Sequence, residues 1–347
     1  MRRRAWSNGT ERLTWLALAC ALSAAAAAEE PTHWLLRMNQ ALTSSNYDGT
    51  FAHWQGGPVE MLRIIHRVQD GAVAERLVSL DTSRREFIRS GTTLTCYLPD
   101  QHTVLVEHRS PQESLFGFPK FNEQTAKFYD IQELARTRFN RHDTHLITVS
   151  SKDEFRYGYR LWIDDATALP LKTQLCDSHG RTIEQIEFAS FTPMAHIPDA
   201  AFKPDVSTEG FQWLRSDAPP KEPQLSSSLV WSPVKLPPGF RMMARSAQIL
   251  PGLPNPVDQM VFTDGLASVS VFVEVYQNHT SAGDVTMTES ARVGSSSAFS
   301  TVIDGHRITA VGEVPPVTVR FIASSLRAQG AADGSSSHAV SQLGAQH

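Results

Sequence analysis

At Tyr47 the apolar pattern of this chain changes period, and that change narrows the architectures open to it. Over residues 31–44 (PTHWLLRMNQALTS) apolar side chains recur three and four apart, so Trp34, Leu35, Met38, Ala41 and Leu42 share one stripe of a single amphipathic helix. From Tyr47 the period is two. Tyr47, Gly49, Phe51 and His53 alternate with Asp48, Thr50, Ala52 and Trp54, the pattern of a strand with two unlike faces. Residues 59–68 (VEMLRIIHRV) then pass through Asp70-Gly71 into VAERLVSLD, a strong local signal for a hairpin.

The same rhythm continues through residues 85–89, 92–98 and 103–108, and returns in HLITVSS, 156–164, 169–177 and 181–191. Between them, residues 110–129 have no clean period but carry Leu115, Phe116, Phe118, Phe121, Phe128 and Tyr129. An apolar connection of that length is expected either to act as a lid or plug or to cap the edge of the core. A short helical element is expected at 197–205. The Pro/Ser-rich stretch 216–228 (SDAPPKEPQLSSS) reads as a linker. Beyond it, strands are expected at 240–250, 256–263 and 267–277. A hairpin at 297–314 turns on Asp304-Gly305, and a last helix opens at Pro315-Pro316. The expected division is 29–215, linker 216–228, a second domain 229–327 and an Ala/Gly/Ser-rich tail 328–347 expected to be disordered. The expected fold class is mainly antiparallel β with helices (α+β), a strongly curved sheet followed by a smaller α+β domain.

Residues 1–28 predict the compartment. Arg2, Arg3, Arg4 and Arg12 precede a short apolar core and the small residues 24–28, as in a secretory signal peptide cut after Ala28. Cys20 offers a rival lipoprotein reading, weakened by the apolar residues that follow it. The chain has 32 basic and 36 acidic residues; losing four Arg and one Glu with the leader leaves 28 against 35. That acidic balance gives no case for nucleic acid. The cluster Arg63, Arg67, Arg76, Arg84, Arg85 and Arg89 reads as solvent-facing strand residues or as a local basic patch. Cys96 and Cys176 survive cleavage without a C-x-x-C spacing, and whether they pair stays open.

A search for chemistry finds little. The metalloprotease, phosphate-loop, nucleophile-elbow and dinucleotide motifs are missing from the sequence. Ser232 and Lys235 match S-x-x-K in letters only, because Pro233 forces Ser232 out of helical geometry. His142 and His145 are three apart in an extended run and face opposite sides of the pleat, which argues against a shared metal. His66 reads as a hydrogen-bonded core histidine, and Asp164-Asp165 as a turn opener. No catalytic residue, metal or cofactor is expected. The remaining class is a binding protein whose curved sheet wraps either an apolar cavity or a filled core.

RLWIDDATALPLKTQLCDSHGRTIEQIEFASF followed by IPDAAFKP resembles the closing strands of LolA-type lipoprotein carriers. More specifically, SNYDGTFAHW, RIIHRVQDGAVAERLVSLD, REFIR and CYLPDQHTVLVE resemble the amino-terminal domain of the RseB/MucB family. WSPVKLPPGF, VFTDGLASVSVFVE and GEVPPVTVRFIASSLR resemble its carboxy-terminal domain. The resemblance implies a LolA-like, half-open barrel domain and a periplasmic regulator. Such a protein binds the periplasmic segment of a transmembrane anti-sigma factor, shields it from proteolysis, and lets go when lipid or lipopolysaccharide binds. A homo-oligomer is compatible with the same resemblance. The expected lipid pocket is Trp34, Leu35, Met38, Phe51, Met61, Ile64, Phe116, Phe118 and Trp162, or else these are ordinary core. The expected anti-sigma contact is Gly265, Leu266, Val269, Val271, Phe272 and Phe321, the SVSVFVEV strand being either an edge open to strand addition or buried sheet. A periplasmic lipid or lipoprotein carrier is the rival function, and a hydrolase with a scattered triad a third.

Overall fold

The computed structural model describes residues 30–108, 115, 118–215, 230–248, 257–276 and 288–329. The leader, Phe116, the linker and the tail from residue 330 lie outside the described residues. Helix α1 (Pro31–Ser44) starts on a proline at its first turn and buries Trp34, Leu35, Met38 and Ala41. Proline fits there because that N–H has no helical acceptor to lose.

A twelve-stranded sheet follows. Its strands are β1 (Tyr47–Trp54), β2 (Glu60–Gln69), β3 (Ala72–Ser79), β4 (Glu86–Ser90), β5 (Thr93–Leu98) and β6 (Thr103–His108). After the short helix α2 (Thr125–Phe128) come β7 (Tyr129–Phe139), β8 (His142–Ser151), β9 (Gly158–Asp164), β10 (Pro170–Cys176), β11 (Thr182–Pro193) and β12 (Gln212–Arg215). Their order is β12-β6-β5-β4-β3-β2-β1-β11-β10-β9-β8-β7. All pairs are antiparallel except β12 on β6.

Hairpin turns account for most of this meander. Asp70 and Gly71 both take positive φ (51° and 76°), the backbone of a tight primed turn. Asn140 and Arg141 do the same at 46° and 71°, which closes β7 onto β8 without a glycine. The sheet is strongly rolled. In a flat sheet three strand spacings separate β8 from β11 by roughly 14 Å. Yet Asn140, in the β7–β8 turn, donates from Nδ2 to the Phe188 carbonyl of β11 at 2.7 Å. Bulges in β1, β7 and β10 sharpen the bend. At Gly49 any side chain would run into the Phe188 ring, 2.6 Å from an added Cβ, so this inward position has to be glycine.

A second unit contains β13 (Val230–Pro233), β14 (Arg241–Gln248), β15 (Val257–Thr263), β16 (Ser268–Val275), β17 (Glu289–Val293), β18 (Ser296–Ile303), β19 (His306–Gly312), helix α3 (Pro316–Ser325) and β20 (Leu326–Gln329). Six of its strands form a sheet in the order β14-β15-β16-β19-β18-β17, while β13 pairs with β20. Helix α3 covers this sheet with Val319, Ile322 and Ala323. The two units have separate hydrophobic cores, one around Phe51 and Leu161, the other around Met260 and Val271. Cys96 and Cys176 are both buried and are not joined to each other by a disulfide.

Candidate functional site: a filled concave face and a charged domain seam

Strand alternation decides which nominated pocket residues share a face. Leu62 and Ile64 of β2 and Leu161 and Ile163 of β9 point into the amino-terminal core. Trp34, Leu35, Met38, Phe51 and Ile64 meet there, none more than 3 % exposed. Phe118 packs against them, half-buried. Two nominations are corrected by parity. Met61, one residue from Leu62, is 36 % exposed. Trp162, between Leu161 and Ile163, turns to the other face, where the Lys172 ammonium sits 5.2 Å from its ring. Among the described residues, apolar side chains occupy the inward positions of the concave side. Phe121, Tyr129, Ile147, Val149 and Phe188, which sequence reasoning did not nominate, fill the space between the helix and the sheet. The alternation of HLITVSS was the available signal for Ile147 and Val149.

Leu115 and the strap 118–121 are tied to β3 and to α1. The Leu115 N–H donates to Glu75 Oε2 at 2.9 Å. The Asn39 side chain of α1 clasps the Phe121 backbone, donating to its carbonyl and accepting from its N–H at 3.2 Å. Glu75 is itself buried in a cross-strand row. Arg89 donates to it at 2.9 Å, and His66 lies 3.7 Å away. His66 stacks on Tyr47 and donates from Nδ1 to the Ser45 carbonyl at 2.8 Å. Burial drives the His66 pKa down, against the opposing pull of Glu75. The arginine cluster of this region is likewise internal in its pairing: Arg63, Arg67, Arg76 and Arg85 each face a carboxylate. His142 and His145 hold carboxylates too. His142 meets Asp164, and the two ring nitrogens of His145 meet Glu133 and Asp165 at 2.9 and 2.8 Å, with Trp34 stacked on the imidazole at 3.7 Å.

The second concentration of chemistry is the seam between the domains. Arg156, just before β9, has its side chain fully buried and lies 3.2 Å from the equally buried Asp264 of the carboxy-terminal domain. Its other partners are Asp153 at 3.2 Å and the Pro238 carbonyl, to which Nη2 donates at 2.5 Å. The rings of Phe128, Tyr129 and Phe240 enclose the guanidinium at 4.8–5.7 Å. Tyr129 donates to Asp264 Oδ2 at 3.2 Å, and burial together with that carboxylate raises its phenol pKa far above the ordinary value. The other Asp264 oxygen accepts the N–H groups of Leu266 and Ala267, which shapes the β15–β16 turn so that Leu266 packs on the amino-terminal core. Nearby, Thr318 of α3 donates to the Phe155 carbonyl at 2.7 Å, and Phe155 meets Phe321 edge-on at 5.3 Å.

Most of the residues expected to touch the anti-sigma segment are engaged within the chain itself. Gly265, Leu266 and Phe321 are engaged by the chain's own amino-terminal domain: an added Cβ on Gly265 would meet Asn122 at 3.0 Å. Val269 and Val271 are fully buried core. Phe272 projects from the opposite face of β16, half-buried. Strand β16 lies between β15 and β19, so it has no free edge for an incoming segment; β14 and β17 are the edges of that sheet. The run SVSVFVEV looks like an edge in sequence because half of it is polar, but that half faces the side of the sheet away from α3.

Comparison with known proteins places both halves of the chain. The MucB/RseB N-terminal domain profile matches residues 30–206, and the MucB/RseB C-terminal domain profile matches residues 226–327. The chain is 29 % identical over 307 residues to the sigma factor AlgU regulatory protein MucB of Pseudomonas aeruginosa, covering 88 % of this chain and 93 % of that one. It is 30 % identical over 316 residues to the sigma-E factor regulatory protein RseB of Salmonella typhimurium, with the same coverage. Among solved structures, the Pseudomonas aeruginosa MucA/MucB complex matches 87 % of this chain and 100 % of the other with a TM-score of 0.68 at 28 % identity. The profile matches run through both cores and both sides of the Arg156–Asp264 seam, and on that ground the chain belongs to the MucB/RseB family.

Proposed function

We propose that this protein is a periplasmic negative regulator of an envelope-stress sigma factor. It holds the periplasmic segment of a transmembrane anti-sigma factor and shields it from regulated proteolysis, and lipid or lipopolysaccharide releases it. The observation that carries the reading is the likeness, over 87 % of this chain and all of the other, to a MucB chain solved in complex with MucA. The chemistry agrees. The buried ionisable side chains of the concave face and seam that have been described are paired with one another, which suits a scaffold that binds.

In this arrangement an acyl chain has to displace the strap 118–121 before it can enter the concave face between α1 and the sheet. Burying about twelve methylenes contributes at most roughly 10 kcal/mol before ordering costs, against about 8 kcal/mol for a micromolar protein contact. The two are close enough for lipid to displace the partner, provided lipid favours an arrangement that holds the partner poorly. The test is protease protection of a purified anti-sigma periplasmic segment. Cleavage should slow when this protein is added and recover with lipopolysaccharide. Equal cleavage with and without the protein overturns the regulatory reading, and protection that lipopolysaccharide leaves intact overturns the release step.

A further inference from the structure

A second polar chain crosses the seam on the side away from Arg156. It starts at Glu184 of β11, which faces His53 of β1 across 3.0 Å. Gln55, just past β1, donates from Nε2 to Glu184 at 3.2 Å and to Ser295 Oγ at 2.6 Å. Ser295 belongs to the carboxy-terminal domain, in the turn between β17 and β18, and donates in turn to Glu313 at 2.8 Å. Glu313 follows β19 and leads into α3. Two carboxylates from different domains are therefore linked through one amide and one hydroxyl, with a single imidazole beside them. Gly294 lets the chain close: its φ is +58°, and an added Cβ would collide with the Gln55 side chain.

We propose that the His53–Glu184–Gln55–Ser295–Glu313 chain makes closure of the two domains proton-dependent, tightest in mildly acidic conditions and looser as pH rises. When the domains part, Glu313 moves away from Glu184 and loses its linked neighbour; when they close, two like charges approach unless a proton is taken up. The directions of titration agree. Burial, and then the Glu184 charge, raise the Glu313 pKa. The hydrogen bond to Glu184 raises that of His53 against burial, with help from the charges of Glu184, Glu60 and Glu313. Burial opposes ionisation of Glu184, but hydrogen bonds from His53, Ser295 and Gln55 outweigh it and hold its pKa low. The other titratable groups around the chain are Tyr157, Tyr159, Arg292 and Asp177.

The sign follows from proton binding. Glu313 binds a proton more readily in the closed form, and so does His53 as far as the Glu313 charge reaches it, the His53–Glu184 pair itself lying within one domain; these contributions are full at low pH and are lost as pH rises through the raised values. Glu184 contributes above the ordinary carboxylate value of 4.5 and loses its contribution on acidification. Closure is thus favoured most just above the ordinary carboxylate value of 4.5 and weakens as pH rises through the raised Glu313 value.

Hydrogen exchange of the seam amides, at residues 294–297 and 313–318, tests this on the full chain lacking only its predicted leader. Wild type is compared with Glu313→Gln and His53→Gln at the same pH, which cancels intrinsic exchange chemistry. At pH 8 the Glu313→Gln seam should be protected about three- to tenfold more than wild type, and at pH 5.5 that excess should be smaller; local opening free energies of this size are within reach of exchange. His53→Gln should lower protection at pH 5.5. Exchange in the α1–β8 core, unchanged in every variant, certifies that the domains remain folded. A wild-type to Glu313→Gln ratio that is the same at both pH values overturns the proposal. The measurement requires no partner, so its outcome is independent of the regulatory reading.

Discussion

Arg156 and Asp264 come from different domains, approach to 3.2 Å and expose none of their side chains to solvent. Tyr129, Asp153 and the Pro238 carbonyl complete the shell around them. A buried pair of this kind is weak evidence for stability, because desolvation offsets the attraction, but removing one member leaves an uncompensated buried charge. Asp264→Asn is therefore expected to destabilise the assembled chain by about 3–5 kcal/mol and to split one denaturant transition into two as the domains uncouple. Removing the arginine charge as well, Arg156→Met with Asp264→Asn, is expected to restore part of the loss, because asparagine still accepts the Leu266 and Ala267 N–H groups. Urea titration followed by circular dichroism checks both outcomes. A single variant as stable as wild type would show that the pair does not hold the domains together.

The assignment of faces along β2 and β9 makes a sharper claim about packing. Phe51 is fully buried, so Phe51→Ala should cost about 3–5 kcal/mol through lost transfer energy and the cavity left behind. Met61→Ala, on the exposed face, should change stability by less than about 0.5 kcal/mol. Trp162→Ala should lose only its contact with Lys172. Comparable losses for Phe51 and Met61 in thermal denaturation would contradict the parity.

Much of this architecture was legible in the chain itself, and the failures share a physical cause. The helix stripe from Trp34 to Leu42, the Asp70-Gly71 and Asp304-Gly305 turns and the central strands follow from short-range chemistry that a sequence displays. Strand β7 was missed because its turn uses Asn140-Arg141, where no glycine announces the positive φ, and because its outer face is almost wholly exposed. Apolar pattern brings Trp34, Leu35, Met38, Phe51 and Ile64 to one buried face, but period two alone cannot say which parity faces inward, and Met61 and Trp162 turn to the other side. The seam lay beyond local reading. Arg156 and Asp264 are over a hundred residues apart, and each resembles an ordinary turn residue until the fold brings the two together.

His66 and His53 should respond to acid in opposite senses. Burial lowers the pKa of His66, so the folded amino-terminal domain prefers the neutral ring. Its stabilising contribution is present above the ordinary value of 6.5 and is lost as pH falls through it. Glutamine at this position keeps a donor for the Ser45 carbonyl but cannot take up a proton. Wild-type thermal stability should therefore fall between pH 7.5 and 5.5 more steeply than that of His66→Gln, and the His53→Gln difference should have the reverse sign. Calorimetry at the two pH values distinguishes them, and parallel slopes for wild type and His66→Gln would remove this role.

The strap 118–121 gives the lipid-release proposal its most exposed consequence. Asn39 holds the Phe121 backbone through both ends of its amide, and Phe121 is buried against Leu35 and Tyr159 in the same core. Asn39→Ala removes the clasp at a cost of about 1–3 kcal/mol for the unpaired backbone groups, small enough to leave the sheet and α1 folded. If acyl chains enter by displacing this strap, the free energy they spend on opening it falls by the same amount. The variant should then bind a fluorescent acyl probe about tenfold more tightly, since 1.4 kcal/mol is a factor of ten. It should also release a bound anti-sigma segment at correspondingly lower lipopolysaccharide. An alanine variant that folds normally yet takes up the probe no better than wild type would mean that lipid does not enter between α1 and the sheet. The release step would then have to act from outside the concave face, through the seam.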